Sequence, residues 1–388
     1  MVKSIEIDPA LSPPTTTFHW TGAASLTGLA FAALLLTPAV QAWFIGQGER
    51  WLYILLLSFW CSFTVTPIAA WAGHRWGLVD IPAARKIHRH ATPRTGGVAV
   101  YLALLLALLM NSILVGWMAA ILIAGSLLFT LGLLDDAREV PAGVKLLVHI
   151  LATGLVMGSG TVLTLFPSSP LGDALNLALT LLWIVGITSA FNFFDGMDGL
   201  ATGLAVLIAG FMGFVAFDTD QPGLGWFAVG IVGASLGFLP YNFRPGRSAL
   251  IFLGDCGSTF LGFTLACLAV KGNWADQNPI VSFSNPLLIF GVLIYDMVHI
   301  TIARIVTGKI TSLRSWLEYV GKDHLHHRLE RVLGSRVASV MFIYGLTISL
   351  GLAAIVLRKA DTVEALLLLG QATMIILMVT VLEQRTRG

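Results

Sequence analysis

Charged side chains are scarce in this sequence. Asp, Glu, Lys and Arg make up 11% of its 388 residues, whereas hydrophobic residues make up 56%. Soluble domains carry roughly 25% charged residues, and the mean hydropathy of this chain is +0.83. The composition excludes an ordinary soluble domain and predicts an all-α, polytopic membrane protein. No nucleic acid is expected among its partners.

Cysteine is also rare. The three residues, Cys61, Cys256 and Cys267, are scattered and lack the spacing of a metal site. We therefore interpret them as small apolar residues rather than as disulfide partners. Neither strand-like alternation nor an internal repeat is evident, so apolar runs are the main organising pattern.

The apolar runs are long enough for membrane-spanning helices, which need roughly 20 residues each. They predict a helical bundle of about 11–12 transmembrane helices. The candidate spans lie near residues 24–46, 52–73, 96–113, 116–134, 143–164, 174–192, 199–217, 224–241, 256–271, 285–306, 337–357 and 362–383. The polar, proline-containing N-terminus is predicted to be a tail. The following run, Ala23 to Phe44, is long for a signal peptide, which favours an uncleaved helix.

Lys and Arg residues are concentrated in alternate loops. Fifteen of them fall in segments 73–96, 135–145, 242–256 and 307–336, and only four fall in the intervening loops. Cytoplasmic loops of membrane proteins carry an excess of Lys and Arg. The four rich segments are therefore predicted to face the cytoplasm, together with both chain termini.

Three acidic motifs fall on that same predicted face: GLLDDARE, NFFDGMDGL and FLGDCGS. Their polar residues are Asp135, Asp136, Asn192, Asp195, Asp198 and Asp255. Adjacent carboxylates repel each other unless a cation neutralises them, and Mg²⁺ binds one or two carboxylates together with substrate phosphates. A helical interpretation of the second motif places its three polar residues on one face. The structural alternatives are a helix cap, a polar loop and a tight turn.

Two further motifs are basic or rich in histidine. GKDHLHHRL contains His324, His326, His327 and Arg328, and the segment 80–97 contains Lys86. Histidine and basic side chains suit a diphosphate. Zinc is disfavoured, because no cysteine is near and the acidic motifs prefer a hard cation. The alternatives are a basic loop on the inner leaflet and, for 80–97, a topology signal.

Taken together, these motifs resemble those of the polyprenyl-phosphate N-acetylhexosamine-1-phosphate transferases, glycosyltransferase family 4. The resemblance covers about residues 74 to 334 and departs from the usual family pattern at Ser189 and His149. It rests on the block from Lys86 to Gly97, Asp135-Asp136 with Lys145 after it, the Asn192 to Asp198 motif, Asp255, and the cluster from His324 to Arg328. It divides the chain into an N-terminal tail with an extra helix (1–50), a catalytic transmembrane core (51–334) and C-terminal transmembrane helices (335–388).

The resemblance implies a reaction in the bacterial inner membrane, with the active site at the cytoplasmic face. Undecaprenyl phosphate attacks the β-phosphorus of a UDP-N-acetylhexosamine, UMP leaves, and surface polysaccharide synthesis begins. The implied metal is Mg²⁺, with Mn²⁺ as an alternative, held by Asp255 and Asn192. Catalytic roles are implied for Asp135, Asp136 and Asp255. Substrate contacts are implied for Lys86, Lys145, Asn192, Asp195, Asp198, His324, His326, His327 and Arg328. A homodimer is compatible with this assignment.

The histidine loop distinguishes branches of the family. His324-Leu325-His326-His327-Arg328 is similar to the His-x-His-His-Arg pattern of the branch that uses UDP-N-acetylglucosamine. The branch that uses UDP-N-acetylmuramoyl-pentapeptide tends to have three consecutive histidines and stays an alternative. A transporter is the alternative outside the family, but it would place polar groups near the midplane and show an inverted repeat.

Overall fold

The computed structural model describes residues 22–81, 91–274, 279–312, 315, 319, 321, 323–360 and 362–384. Fifteen helices and one two-stranded sheet form this described part, which confirms the all-α class. The helices are α1 (Gly22–Leu35), α2 (Pro38–Gly46), α3 (Arg50–Trp76), α4 (Gly96–Met110), α5 (Gly116–Ala137), α6 (Ala142–Gly158), α7 (Pro170–Phe193), α8 (Leu200–Asp218), α9 (Pro222–Asn242), α10 (Gly254–Lys271), α11 (Pro279–Ile289), α12 (Gly291–Val306), α13 (Leu325–Leu333), α14 (Arg336–Leu357) and α15 (Thr362–Gln384). The antiparallel strands β1 (Val79–Asp80) and β2 (Thr92–Pro93) were not expected from the sequence.

Seven of the described helices are long and apolar enough to cross a membrane. The number is nine if each bent pair is one span: α1 with α2, bent by 65°, and α11 with α12, bent by 78°. The protein is therefore a multi-pass membrane protein. Each of the twelve predicted runs coincides with a helix or a bent pair, but α4 and α6 are short, and α10 carries a charged residue at each end. Length and composition thus support fewer complete spans than predicted.

Helix α10 lies at the centre of the bundle. Sixteen of its residues are buried, and it packs against α4, α5, α7, α8 and α9. Glycines allow this close packing. A Cβ on Gly132 of α5 would lie 2.5 Å from the Cα of Cys256, and a Cβ on Gly97 of α4 would overlap the backbone of Gly257. Small residues of this kind let membrane helices approach closely, and here they fix the start of α10 between α4 and α5.

The loops at one end of the bundle are joined by backbone hydrogen bonds. The N–H of Phe252 donates to the carbonyl of Pro93 at 2.8 Å, and the N–H of Gly97 donates to that of Leu253 at 2.7 Å. The segment before α4 is thereby fixed to the segment before α10. The ends of α5 and α7 and the starts of α6, α8 and α10 meet around this junction, so the acidic motifs share one end of the bundle, as predicted.

Candidate active site

Two carboxylates and a lysine form the centre of the site. Asp135 lies near the end of α5 and Lys145 near the start of α6, so a short loop brings them together. Lys145 Nζ forms an ion pair with Asp135 Oδ2 and lies 3.8 Å from Asp255 Oδ2. The side chain of Asp135 is 9% exposed, whereas those of Lys145 and Asp255 are 36% and 40% exposed. An incoming ligand can therefore reach Lys145 and Asp255 more easily than Asp135.

Asp136 supports the backbone of α10. Its two carboxylate oxygens accept hydrogen bonds from the N–H groups of Asp255 at 3.0 Å and Cys256 at 3.1 Å. The first N–H groups of a helix have no partner within the helix, and they favour negative charge. Gly254 precedes them with φ +77°, a conformation that favours glycine. Asp136, for which a catalytic role was predicted, is thus placed so that it holds Asp255 in position.

Asn192, near the end of α7, also orients Asp255. Its Nδ2 donates to Asp255 Oδ1 at 3.0 Å and to Ser258 Oγ at 2.9 Å. The contact crosses from α7 to the first turn of α10. These hydrogen bonds involve the amide nitrogen of Asn192. The amide oxygen, which is the atom that would bind a cation, takes no part in them.

Asp195 and Asp198 lie in the turn between α7 and α8, not on a helix. The expectation that Asn192, Asp195 and Asp198 share a helical face is therefore wrong. Helix α7 ends at Phe193, and Gly199 has φ +79°, which does not continue a helix. Asp198 Oδ2 accepts the N–H of Ala249 at 3.0 Å and ties the turn to the loop before α10.

Asp195 adds a third carboxylate beside Asp255 and Asp136. Burial raises the pKa of Asp195 well above its ordinary value, and the charges of Asp255 and Asp136 raise it further. A hydrogen bond from the backbone of Gly254 acts in the opposite direction. Neighbouring carboxylates disfavour each other's ionised form, and a nearby cation favours it. Ionisation of all three carboxyl groups would therefore bring like charges together, and a bound cation would offset them.

A buried carboxylate on α12 organises the histidine loop. Asp296 is fully buried and lies 2.8 Å from His324 Nδ1. It accepts hydrogen bonds from the N–H of Leu325 at 2.7 Å and from Arg328 at 3.1 Å. Sequence analysis missed Asp296, although a carboxylate inside an apolar run is costly and by default suggests a role.

Arg328 is not placed as predicted. The sequence suggested that it grips a diphosphate, but its side chain is 4% exposed and lies between Asp296 and Glu383. Its charge is thus directed to two protein carboxylates. In this structure Arg328 supports the histidine loop.

His326 extends from that loop to the turn that carries Asp195. A Cβ on Gly196 would lie 2.5 Å from His326 Nε2, so this approach needs glycine. The rings of His326 and Phe194 are 5.8 Å apart. Burial lowers the pKa of His326 well below its ordinary value, and the neighbouring His327, His324 and arginines lower it further, which favours the neutral ring. His327, beside it, lies 3.8 Å from Glu330.

Lys86 falls outside the described residues. Arg94 and Asp80, described residues on either side of it in the sequence, form an ion pair that anchors β1 to β2. Because β2 is hydrogen-bonded to Phe252, this anchor lies next to the start of α10. The predicted substrate contact of Lys86 stays a prediction.

The side-chain oxygen atoms of Asp255, Asn192 and Asp195 suit a hard divalent cation. Within the described ranges, no group of three or more His, Cys, Asp or Glu side chains converges on one metal position. Mg²⁺ does not need such a cage, because it binds one or two carboxylates and completes its shell with water and substrate phosphates. The partly exposed Asp255, with Asn192 in contact and Asp195 nearby, meets that requirement.

Known proteins share this sequence pattern. Residues 118–273 match the glycosyl transferase family 4 model. The chain is 32% identical over 311 residues to the probable undecaprenyl-phosphate N-acetylglucosaminyl 1-phosphate transferase of Bacillus subtilis, an alignment that covers 79% of this chain and 84% of that protein. It is 30% identical over 352 residues to the decaprenyl-phosphate N-acetylglucosaminephosphotransferase of Mycolicibacterium smegmatis, covering 81% and 84%. The phospho-N-acetylmuramoyl-pentapeptide-transferase of Listeria monocytogenes is 30% identical over 247 residues, covering 56% and 75%.

The matched range contains Asp135, Lys145, Asn192 and Asp255, the residues that the fold brings together. Sequence similarity and geometry thus single out the same end of the bundle. The extent of the Bacillus subtilis alignment shows that this multi-pass membrane protein belongs to glycosyl transferase family 4.

Proposed function

We propose that the protein transfers N-acetylglucosamine 1-phosphate from UDP-N-acetylglucosamine to undecaprenyl phosphate, with release of UMP, and so starts cell-surface polysaccharide synthesis. One observation carries the proposal: four polar motifs meet at one end of an apolar bundle, with Lys145 between Asp135 and the partly exposed Asp255. A lipid phosphate and a soluble nucleotide meet at such a surface, because the apolar chain stays in the bilayer while the nucleotide stays in water.

In this reaction two anions approach each other. The lipid phosphate oxygen forms a bond to the β-phosphorus, and the bond from that phosphorus to the bridging oxygen of UMP breaks, so the electron pair leaves with UMP. Cationic groups lower the barrier by offsetting charge. Lys145 supplies such a charge from a partly exposed position, and Asp135 acts on the lipid phosphate by orienting Lys145.

Mg²⁺, with Mn²⁺ as an alternative, is proposed to bind at Asp255, with Asn192 and Asp195 beside it. When bound, the ion would neutralise charge on the diphosphate. The raised pKa of Asp195 is in keeping with this assignment, since the charges of Asp255 and Asp136 add to the effect of burial. Asp136 contributes indirectly, by holding the backbone of Asp255.

The sugar donor, the lipid acceptor and the location in a bacterial inner membrane are each proposed on separate grounds. The histidine pattern favours N-acetylglucosamine. The two relatives named for N-acetylglucosamine transfer align over 79% and 81% of this chain, against 56% for the muramoyl-pentapeptide enzyme. Undecaprenyl phosphate follows the name of the Bacillus subtilis relative. The Lys and Arg distribution supports a site on the cytoplasmic side of a bacterial inner membrane.

UMP release from the purified protein in detergent tests the proposal. UDP-N-acetylglucosamine, UDP-N-acetylgalactosamine and UDP-N-acetylmuramoyl-pentapeptide are each supplied with and without undecaprenyl phosphate. We expect UMP only when UDP-N-acetylglucosamine, the lipid and Mg²⁺ are all present, and we expect a chelator to stop its release.

Two other outcomes would contradict the proposal. Turnover of the muramoyl-pentapeptide donor alone would move the chain to that branch of the family. Absence of UMP with every donor, together with substrate uptake into reconstituted vesicles, would support a transporter instead.

A further inference from the structure

A buried ion-pair network joins the last helix to the histidine loop. Glu383, near the end of α15, has a side chain that is only 3% exposed. Its Oε2 lies 3.4 Å from Arg328 Nε, and another nitrogen of Arg328 lies 3.1 Å from Asp296 Oδ1. Burial of charged groups is costly unless they are paired with good geometry. Arg328 thus lies between two buried carboxylates: it donates a hydrogen bond to Asp296 and is in ion-pair contact with Glu383, without a hydrogen bond between Nε and Oε2.

The network continues toward the active site. Asp296 contacts His324 and accepts the N–H of Leu325, the first residue of α13. The start of α13 in turn sets the position of His326, which lies against Gly196 in the turn that carries Asp195. A series of direct contacts therefore leads from Glu383 to the carboxylate cluster.

We propose that Glu383 is a positioning residue for the transfer reaction, acting through Arg328 and Asp296 to hold the histidine loop against the Asp195 turn. This inference rests on the proposed function. Without Glu383, Arg328 keeps one carboxylate partner and can rotate about that bond, which loosens the start of α13. The last helix then belongs to the catalytic unit, although the sequence analysis separated residues 335–388 from it.

A second contact makes the proposal testable without loss of the fold. The hydroxyl of Tyr295 on α12 lies 2.8 Å from Thr380 Oγ1 on α15, about one helical turn from Glu383. This hydrogen bond keeps α15 docked on α12 when the charge of Glu383 is removed. Glu383→Gln, which has nearly the same shape, is therefore the variant of choice.

Glu364→Gln is the matched control, because Glu364 lies exposed in the first turn of the same helix. We expect Glu383→Gln to lower kcat/KM for UDP-N-acetylglucosamine about tenfold or more, with the KM for undecaprenyl phosphate within about twofold of wild type. The control should stay within about twofold of wild type in both values. Because Glu383 acts through Arg328, Glu383→Gln should cause little further loss in an Arg328→Gln background.

Hydrogen exchange gives a readout that does not depend on turnover. Peptides that cover α13 and the turn at 194–199 should exchange faster in Glu383→Gln than in wild type or in Glu364→Gln, while peptides from α3 stay unchanged. This result can be obtained even if no donor is turned over, so failure of the proposed function is separable from failure of the positioning role. If Glu383→Gln does not fold, Glu383→Asp keeps the charge, moves it back by one methylene, and is compared in the same way.

Three results would overturn the inference. The first is an unchanged kcat/KM and unchanged exchange in Glu383→Gln. The second is that Glu383→Gln lowers kcat/KM by the same factor in the Arg328→Gln background as in the wild type. The third is faster exchange throughout the protein, which would reduce Glu383 to a general contributor to stability.

Discussion

Replacement of Asp255 by asparagine tests the proposed metal site with little disturbance of the fold. Asparagine has the same size and keeps the oxygen that accepts a hydrogen bond from Asn192 at 3.0 Å. The backbone N–H of residue 255 still donates to Asp136. Because the side chain is 40% exposed and lies 3.8 Å from Lys145, solvent screens that ion pair, and its loss should cost less than about 1 kcal/mol of unfolding free energy.

Activity should respond much more strongly than stability. Loss of the carboxylate charge should lower the rate of UMP release at least about tenfold, which corresponds to about 1.4 kcal/mol of transition-state stabilisation. The rate is measured across a Mg²⁺ titration, beside thermal unfolding in detergent. Asp173→Asn, at the opposite end of α7, is the control for the same chemical change. The reasoning fails if Asp255→Asn keeps more than about one tenth of the wild-type rate at saturating Mg²⁺.

Three further predictions concern stability. Asp136→Ala removes the acceptor of two N–H groups at the start of α10 and should lower the unfolding free energy by about 0.5–2 kcal/mol; unchanged thermal unfolding would refute the capping role. Because burial raises the pKa of Asp195, its stabilising contribution is present below its ordinary pKa of 3.8 and is lost as pH rises through the raised value. Asp195→Asn should therefore stabilise the metal-free protein at about pH 8 but not at about pH 4, and a gain that is independent of pH would contradict this. Arg328→Ala removes the cation that Asp296 and Glu383 share and should cost about 3–5 kcal/mol in thermal unfolding, whereas a loss below about 1 kcal/mol would show that the network is not stabilising.

Composition and periodicity were sufficient for the class of the protein and for the approximate position of its helices. Backbone polar groups must be paired inside hydrocarbon, so long apolar runs become helices whatever their neighbours are. Charged residues are costly in such a chain, and for that reason Asp135 and Asp255 stand out as candidate site residues from the sequence alone. The positions of α4 and α6 were also predictable, but their ends were not. With 15 and 17 residues, these helices are shorter than the roughly 20 residues that a complete span needs.

The roles of individual residues were decided by tertiary structure. Asp135 and Asp136 are adjacent, yet neighbouring residues on a helix point about 100° apart, so one pairs with Lys145 and the other with the start of α10. The contacts of Asp296 and Glu383 with Arg328 join segments that are distant in the chain, and no local pattern links them. Composition and periodicity determine where each helix forms because its hydrogen bonds are local. Which side chains meet between helices depends instead on the angles and depths at which the helices pack.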